Sequence, residues 1–163
     1  MLGVDPGLSR CGYGVAAREG GVLRAVACGV VRTSPADPLP ERLAALADEL
    51  AELVAQFRPS AMSVERVLFQ NNARTAISVG QASGLALVAA ARAGVPVVQY
   101  SPNEVKLAVT GDGRADKAAV QRMVARLCSL REVPRPADAA DALALACCHL
   151  WRARLTAAVG GAR

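Results

Sequence analysis

Apolar positions in the first third of the chain come in short blocks broken by glycine. Residues 1–5 make a brief apolar strand that ends at Asp5, and residues 12–18 ("GYGVAAR") make a second. "EGG" at 19–21 is a turn, and residues 22–33 form a longer third strand. Connections this short imply an antiparallel meander. "SPADPLP", with three prolines in seven residues, interrupts the pattern. The period then changes. Leu43, Leu46, Ala47, Leu50, Leu53, Val54 and Phe57 recur at three- and four-residue steps, which predicts a helix stopped by Arg58 and Pro59. Glu41, Arg42, Asp48, Glu49 and Glu52 fall between them and mark a solvated face, not a metal site.

"SAMSVE" is a fourth strand, ending in Glu65. A helix follows over about 72–93, closed by Gly94, and "VPVVQY" at 95–100 is a fifth strand. Two further helices fit 102–109 and 116–129, and a last one runs from about 137 to 155 after the stiff "VPRP". Strands four and five are each reached through a helix, so each lies parallel to a neighbour. The expected fold class is α/β, a mixed five-stranded sheet flanked by helices. With 163 residues, one domain over 1–155 is expected, followed by a disordered tail at 156–163.

Composition narrows the function classes. A hydrophobic fraction of 53% suits a well-buried core. No uncharged apolar run reaches about 18 residues, so no membrane span is expected. No basic segment with a following apolar stretch opens the chain, so a cytoplasmic protein is expected. Cys11, Cys28, Cys128, Cys147 and Cys148 make no C-x-x-C pair, and His149 is the single histidine. That argues against zinc and for small buried thiols in a reducing compartment. The formal charge of +5 points weakly to a polyanionic partner. Among the 19 basic residues only Lys106 and Lys117 are lysines.

The acids carry the chemistry. Asp5 and Glu65 each end a strand, where α/β sheets place their sites. "RPADAADALALA" sets Asp138 and Asp141 three residues apart, on one helix face. Each has an ordinary explanation: a turn brace at Asp5, a solvated strand end at Glu65, capping and dipole compensation at Asp138 and Asp141. If the first and fourth strands are neighbours and the last helix crosses them, however, four carboxylates converge. Such a cluster must protonate or bind cations. Its hard oxygen donors suit Mg²⁺ or Mn²⁺, and two such ions can hold the attacking and leaving oxygens of a phosphodiester. Gly7, Gly12 and Gly14 are expected to let the backbone pass close to a substrate.

"GVDPGLSRCGYG", "VERVLFQNNA", "YSPNEVKLAVTGDGRADKAAVQRMV" and "RPADAADALALA" together resemble the RuvC family of bacterial Holliday junction resolvases, in order and approximate spacing, from residue 1 to about 150. The resemblance implies an RNase H-like fold. It implies a homodimer that nicks two like-polarity strands of a four-way DNA junction, in recombination and repair. It implies two Mg²⁺ per subunit, replaceable by Mn²⁺, held by Asp5, Glu65, Asp138 and Asp141. Lys106 and Lys117 match the family's basic residues, Lys117 serving catalysis and both serving DNA binding. Some relatives carry histidine at the third acid; here Asp138 stands there. An aromatic shortly after the glutamate is thought to stack on an unpaired base; Phe69 is the available one, a position later than in some relatives.

Among the arginines, Arg74 leads the candidates for phosphate contact, with Arg66, Arg10, Arg114, Arg122 and Arg126 unranked. The small residues Ala73, Ala76, Gly80, Ser83 and Gly84 offer a close-packing stripe for the second subunit. The branch-migration proteins RuvA and RuvB are further candidate partners. Three other readings remain: a related nuclease of the same fold on other structured nucleic acid, a junction-binding module without catalysis, and the ATPase fold of actin and sugar kinases, which needs a second domain to close over nucleotide.

Overall fold

The computed structural model describes residues 1–67 and 73–160, the side chains of 73–75 and 154–160 excepted. Its elements follow the expected order: β1 (Leu2–Asp5), β2 (Arg10–Glu19), β3 (Val22–Arg32), α1 (Leu39–Phe57), β4 (Met62–Glu65), α2 (Ala73–Arg92), β5 (Val97–Tyr100), α3 (Pro102–Thr110), α4 (Lys117–Leu127) and α5 (Ala137–Gly160). The last helix runs on to Gly160, past the end near 155 that the sequence suggests.

The strands form one sheet in the order β3-β2-β1-β4-β5. β1, β2 and β3 pair antiparallel; β4 pairs parallel to both β1 and β5. The mixed sheet and its parallel and antiparallel halves are as expected. Side chains alternate between faces along each strand. Leu2, Val4, Met62 and Val64 therefore share one face, where they are fully buried with Leu46 and Leu50 of α1 and Ala82 and Ala86 of α2. Each large side chain buried there stabilises the fold by about 1.5–3 kcal/mol. The intervening Gly3, Asp5, Ser63 and Glu65 belong to the other face, which α5 covers, with α3 and α4 outside it.

α5 has no polar stripe through its middle. Ala142, Leu143, Ala144, Leu145, Ala146, Cys147 and Cys148 are all buried, as befits a helix enclosed on every side. Its approach to the sheet is close. A Cβ on Gly3 would run into the Ala142 carbonyl, one on Gly14 into the Leu143 backbone, and one on Gly12 into Asp138. This corrects the expected role of Gly12 and Gly14: they make room for the helix, not for a substrate. Gly7 is likewise committed to its own tight turn, its Cβ position blocked by the Arg10 carbonyl. The reason is topological, since the glycines lie on the helix-covered face of the sheet.

The thiols behave as small core residues. Cys11, Cys128, Cys147 and Cys148 are buried and all five cysteines are free. Burial pushes Cys11 and Cys148 up to about 11, far from thiolate reactivity.

Gly14→Ala should lower stability by about 1–3 kcal/mol through overpacking under α5, read as a lower midpoint in urea at unchanged slope. Nothing lies within 4 Å of a Cβ on Gly84 within the chain, so Gly84→Ala in the same assay, done at a concentration where only single chains are present, should cost nothing.

Candidate active site

Asp5 and Glu65 end neighbouring parallel strands. The register aligns Gly3 with Ser63 and Val4 with Val64, so the two acids close the ladder side by side on the α5 face. The backbone just past Glu65 is pinned, with the Arg66 amide donating to the Tyr100 carbonyl at 2.8 Å. From above, the first turns of α5 bring down Asp138 and Asp141. Carboxylate oxygens of Asp5, Asp138 and Asp141 lie within 4.8 Å of one another. Glu65 lines the same cleft as Asp5 and Asp141. All four acids predicted from the sequence thus meet in one place.

The cations come from α3 and α4. Asp116 caps α4, its side chain accepting from the Ala119 amide at 2.6 Å, which sets Lys117 at the first helical position. Ser101 and Glu104 form a reciprocal capping box that fixes the start of α3. Lys106 on α3 and Lys117 on α4 line a cleft of about 270 Å³ together with Asp5, Glu65 and Asp141. A larger groove of about 980 Å³ runs between α1 and α2, but no acidic side chain lines it. Charge, not volume, singles out the smaller cleft.

Two of the acids are already paired. Lys117 Nζ lies 2.5 Å from Asp141 Oδ2, and Gln121 Nε2 donates to Asp141 Oδ1 at 3.3 Å. Arg10 grips Asp138 with two nitrogens: Nε donates to Oδ2 at 2.7 Å, and Nη2 stands 2.5 Å from the same oxygen. Among the described residues no ion pair holds Asp5 or Glu65. Burial, followed by the charges of Glu65, Asp141 and Asp138, raises Asp5 to about 7, against the smaller pull of Lys117. Burial and then Asp141 raise Glu65 as well. Lys117 is raised, chiefly by its hydrogen bond to Asp141. At neutral pH the site is short of positive charge.

A family model described as "Crossover junction endodeoxyribonuclease RuvC" matches residues 1–149. A protein of that description from Salinispora arenicola is 55% identical, over 100% of this chain and 96% of its own length. The chain belongs to the RuvC family. The Thermus thermophilus RuvC solved with a Holliday junction substrate superposes with a TM-score of 0.89 at 42% identity, over 94% of each chain. The yeast mitochondrial Holliday junction resolvase, at 15% identity and a TM-score of 0.68 over 95% of this chain and 81% of its own, shares the fold. The fold is thus the RNase H-like one of these resolvases.

Asp5, Glu65 and Asp141 share one cleft with Lys106 and Lys117, and Asp138 clusters with Asp5 and Asp141 while bonded to Arg10. Phe69 lies outside the described residues, as does the side chain of Arg74. His149 is taken up elsewhere, its Nδ1 2.9 Å from the Tyr100 hydroxyl. Sequence reasoning missed Gln121 and left Arg10 among several unranked arginines. Gln121 had a usable signal: it lies four residues after Lys117 and so shares its helix face.

Because folding raises Asp5, the metal-free protein binds a proton that the unfolded chain has lost between about pH 4 and pH 7. Its stability should therefore fall as pH rises through that window. Asp5→Asn should stabilise the metal-free protein at pH 8 by on the order of 1–3 kcal/mol, measured by thermal melting in chelator. Mn²⁺ affinity of the unmodified protein should climb up to about pH 7 and level off above it, checked by calorimetric titration.

Proposed function

We propose that this chain is a structure-selective endodeoxyribonuclease that resolves four-way DNA junctions by paired nicks, working as a homodimer in recombination and repair. The observation that supports this is the gathering of Asp5, Asp138 and Asp141 within 4.8 Å of one another, beside a cleft that Asp5, Asp141, Glu65, Lys106 and Lys117 line. Carboxylates this crowded and this poorly neutralised need cations. An all-oxygen set without a thiolate or imidazole fits Mg²⁺, with Mn²⁺ as a substitute.

In this reading the four acids would hold two Mg²⁺ per subunit, which when bound would supply an activated water and charge stabilisation for the leaving 3′-oxygen. The protein's own groups do the rest. Lys117, kept charged by Asp141, offers its ammonium to the charge that builds on the scissile phosphate. Lys106, across the cleft, binds the phosphate backbone. Phe69 supplies a stacking platform for an unpaired base, and Arg74 a phosphate contact. Catalysis belongs to a single nuclease domain, residues 1–155. No described helix is long and apolar enough to cross a membrane, and a cytoplasmic location in reach of RuvA and RuvB accords with the family.

A second subunit has a natural seat on α2. Ile77 is 64% exposed and Val88 46%, and the Cβ positions of Gly80 and Gly84 face open space within the chain. An isologous contact there places two clefts on one symmetric assembly, one for each strand to be cut.

Two experiments test the reading. With labelled substrates and Mg²⁺, four-way junctions should be cut symmetrically, while flaps, linear duplex and RNA–DNA hybrid should not. Asp5→Asn, Glu65→Gln, Asp138→Asn and Asp141→Asn should each reduce cutting at least about 100-fold while keeping junction affinity in gel shifts. Near-normal cutting by any one removes that residue from the site. Separately, Gly84→Leu should shift the protein from dimer to monomer in sedimentation and abolish paired cutting. An unchanged dimer relocates the interface.

A further inference from the structure

Arg10 grips Asp138 from a distant part of the chain. Alternation along β2 puts Arg10 on the same face as Gly12 and Gly14, the face that α5 covers. The tight turn through Gly7 carries Asp5 at one end and Arg10 at the other. Arg10 therefore reaches the first turn of α5 from the first residue of β2, with 45% of its side chain exposed, and delivers two nitrogens to one oxygen of Asp138. Arg32 is its cross-strand partner, so both side chains project from the same face. Arg42 stands beside the turn, bonded to the Ser9 and Thr33 hydroxyls at 2.6 and 3.0 Å. Arg10, which holds Asp138, thus has one arginine across the strand and another beside its own turn.

We propose that Arg10 is a positioning residue that occupies Asp138 in place of a divalent cation and releases it to DNA phosphate, so that metal uptake at Asp138 is held back until the backbone of the substrate arrives. This rests on the metal-binding reading of the acid cluster given above. The physics is competition. The oxygen that accepts both guanidinium donors would have to share them with an incoming dication, against a fixed positive charge. A phosphate draws Arg10 away because its oxygens match the planar donor fork, as the carboxylate does, and it brings its own negative charge. The field of Arg32 and Arg42 favours the approach of that phosphate. Linkage then requires that DNA and metal each strengthen the binding of the other.

The test is a Mn²⁺ titration of DNA-free protein by calorimetry at pH 8 and moderate salt. Arg10→Ala should bind Mn²⁺ more tightly than the unmodified protein, by roughly 3–10-fold. Arg10→Lys, which keeps the charge and loses the fork, should fall between them. In chelator, the same Arg10→Ala protein should bind a four-way junction more weakly, with the slope of log affinity against log salt shallower by about one. A merely structural Arg10 would not tighten metal binding on removal. Unchanged or weaker Mn²⁺ binding by Arg10→Ala, with its circular dichroism intact, overturns the proposal. Should that variant fail to fold, Arg10→Gln is held to the same criterion. If the unmodified protein takes up no Mn²⁺ and Asp138→Asn makes no difference, the metal reading itself fails, an outcome distinct from a normal uptake that Arg10 does not influence.

Discussion

Mutual repulsion of four carboxylates is the constraint around which this molecule is built. Left to themselves, side chains of like charge move apart or take up protons. Here they cannot move apart. Two end adjacent strands locked in a parallel ladder, and two ride a helix pressed so closely on the sheet that only glycine fits beneath it at three positions. Asp5 answers by holding its proton up to about pH 7. The folded chain thus stores an electrostatic debt that burial of the surrounding apolar side chains sustains.

The neutralising groups are divided in a telling way. Among the described residues, the cations that pair with the acids of α5 come from other elements: Arg10 from β2, Lys117 from α4. Asp141 is held at both oxygens by one face of α4, through Lys117 and Gln121. Asp138 is held from the opposite side by the rim of the sheet. The two acids of one helix turn therefore answer to different neighbours, and a change at one need not disturb the other.

Much of this was legible in the residues alone. Period-two blocks and period-3.6 stripes located the strands and helices, and loop lengths separated the antiparallel pairs from the parallel ones. The acids were legible because each stood at a strand end or in the first turns of a helix that is otherwise apolar. What stayed hidden depended on distance in space. Gly12 and Gly14 look like loop glycines next to a site until α5 is seen lying on them. Arg10 could not be told from the other arginines, because its partner is 128 residues away in the chain. Composition and spacing report on local periodicity; they say little about which long side chain bridges to which distant element.

The modest size of the acid cleft has a consequence for stoichiometry. The hollow of about 270 Å³ is lined by Asp5, Glu65, Asp141, Lys106 and Lys117. Under the proposed function each such opening serves one strand at a time, and the number of breaks made in one encounter follows the number of chains present.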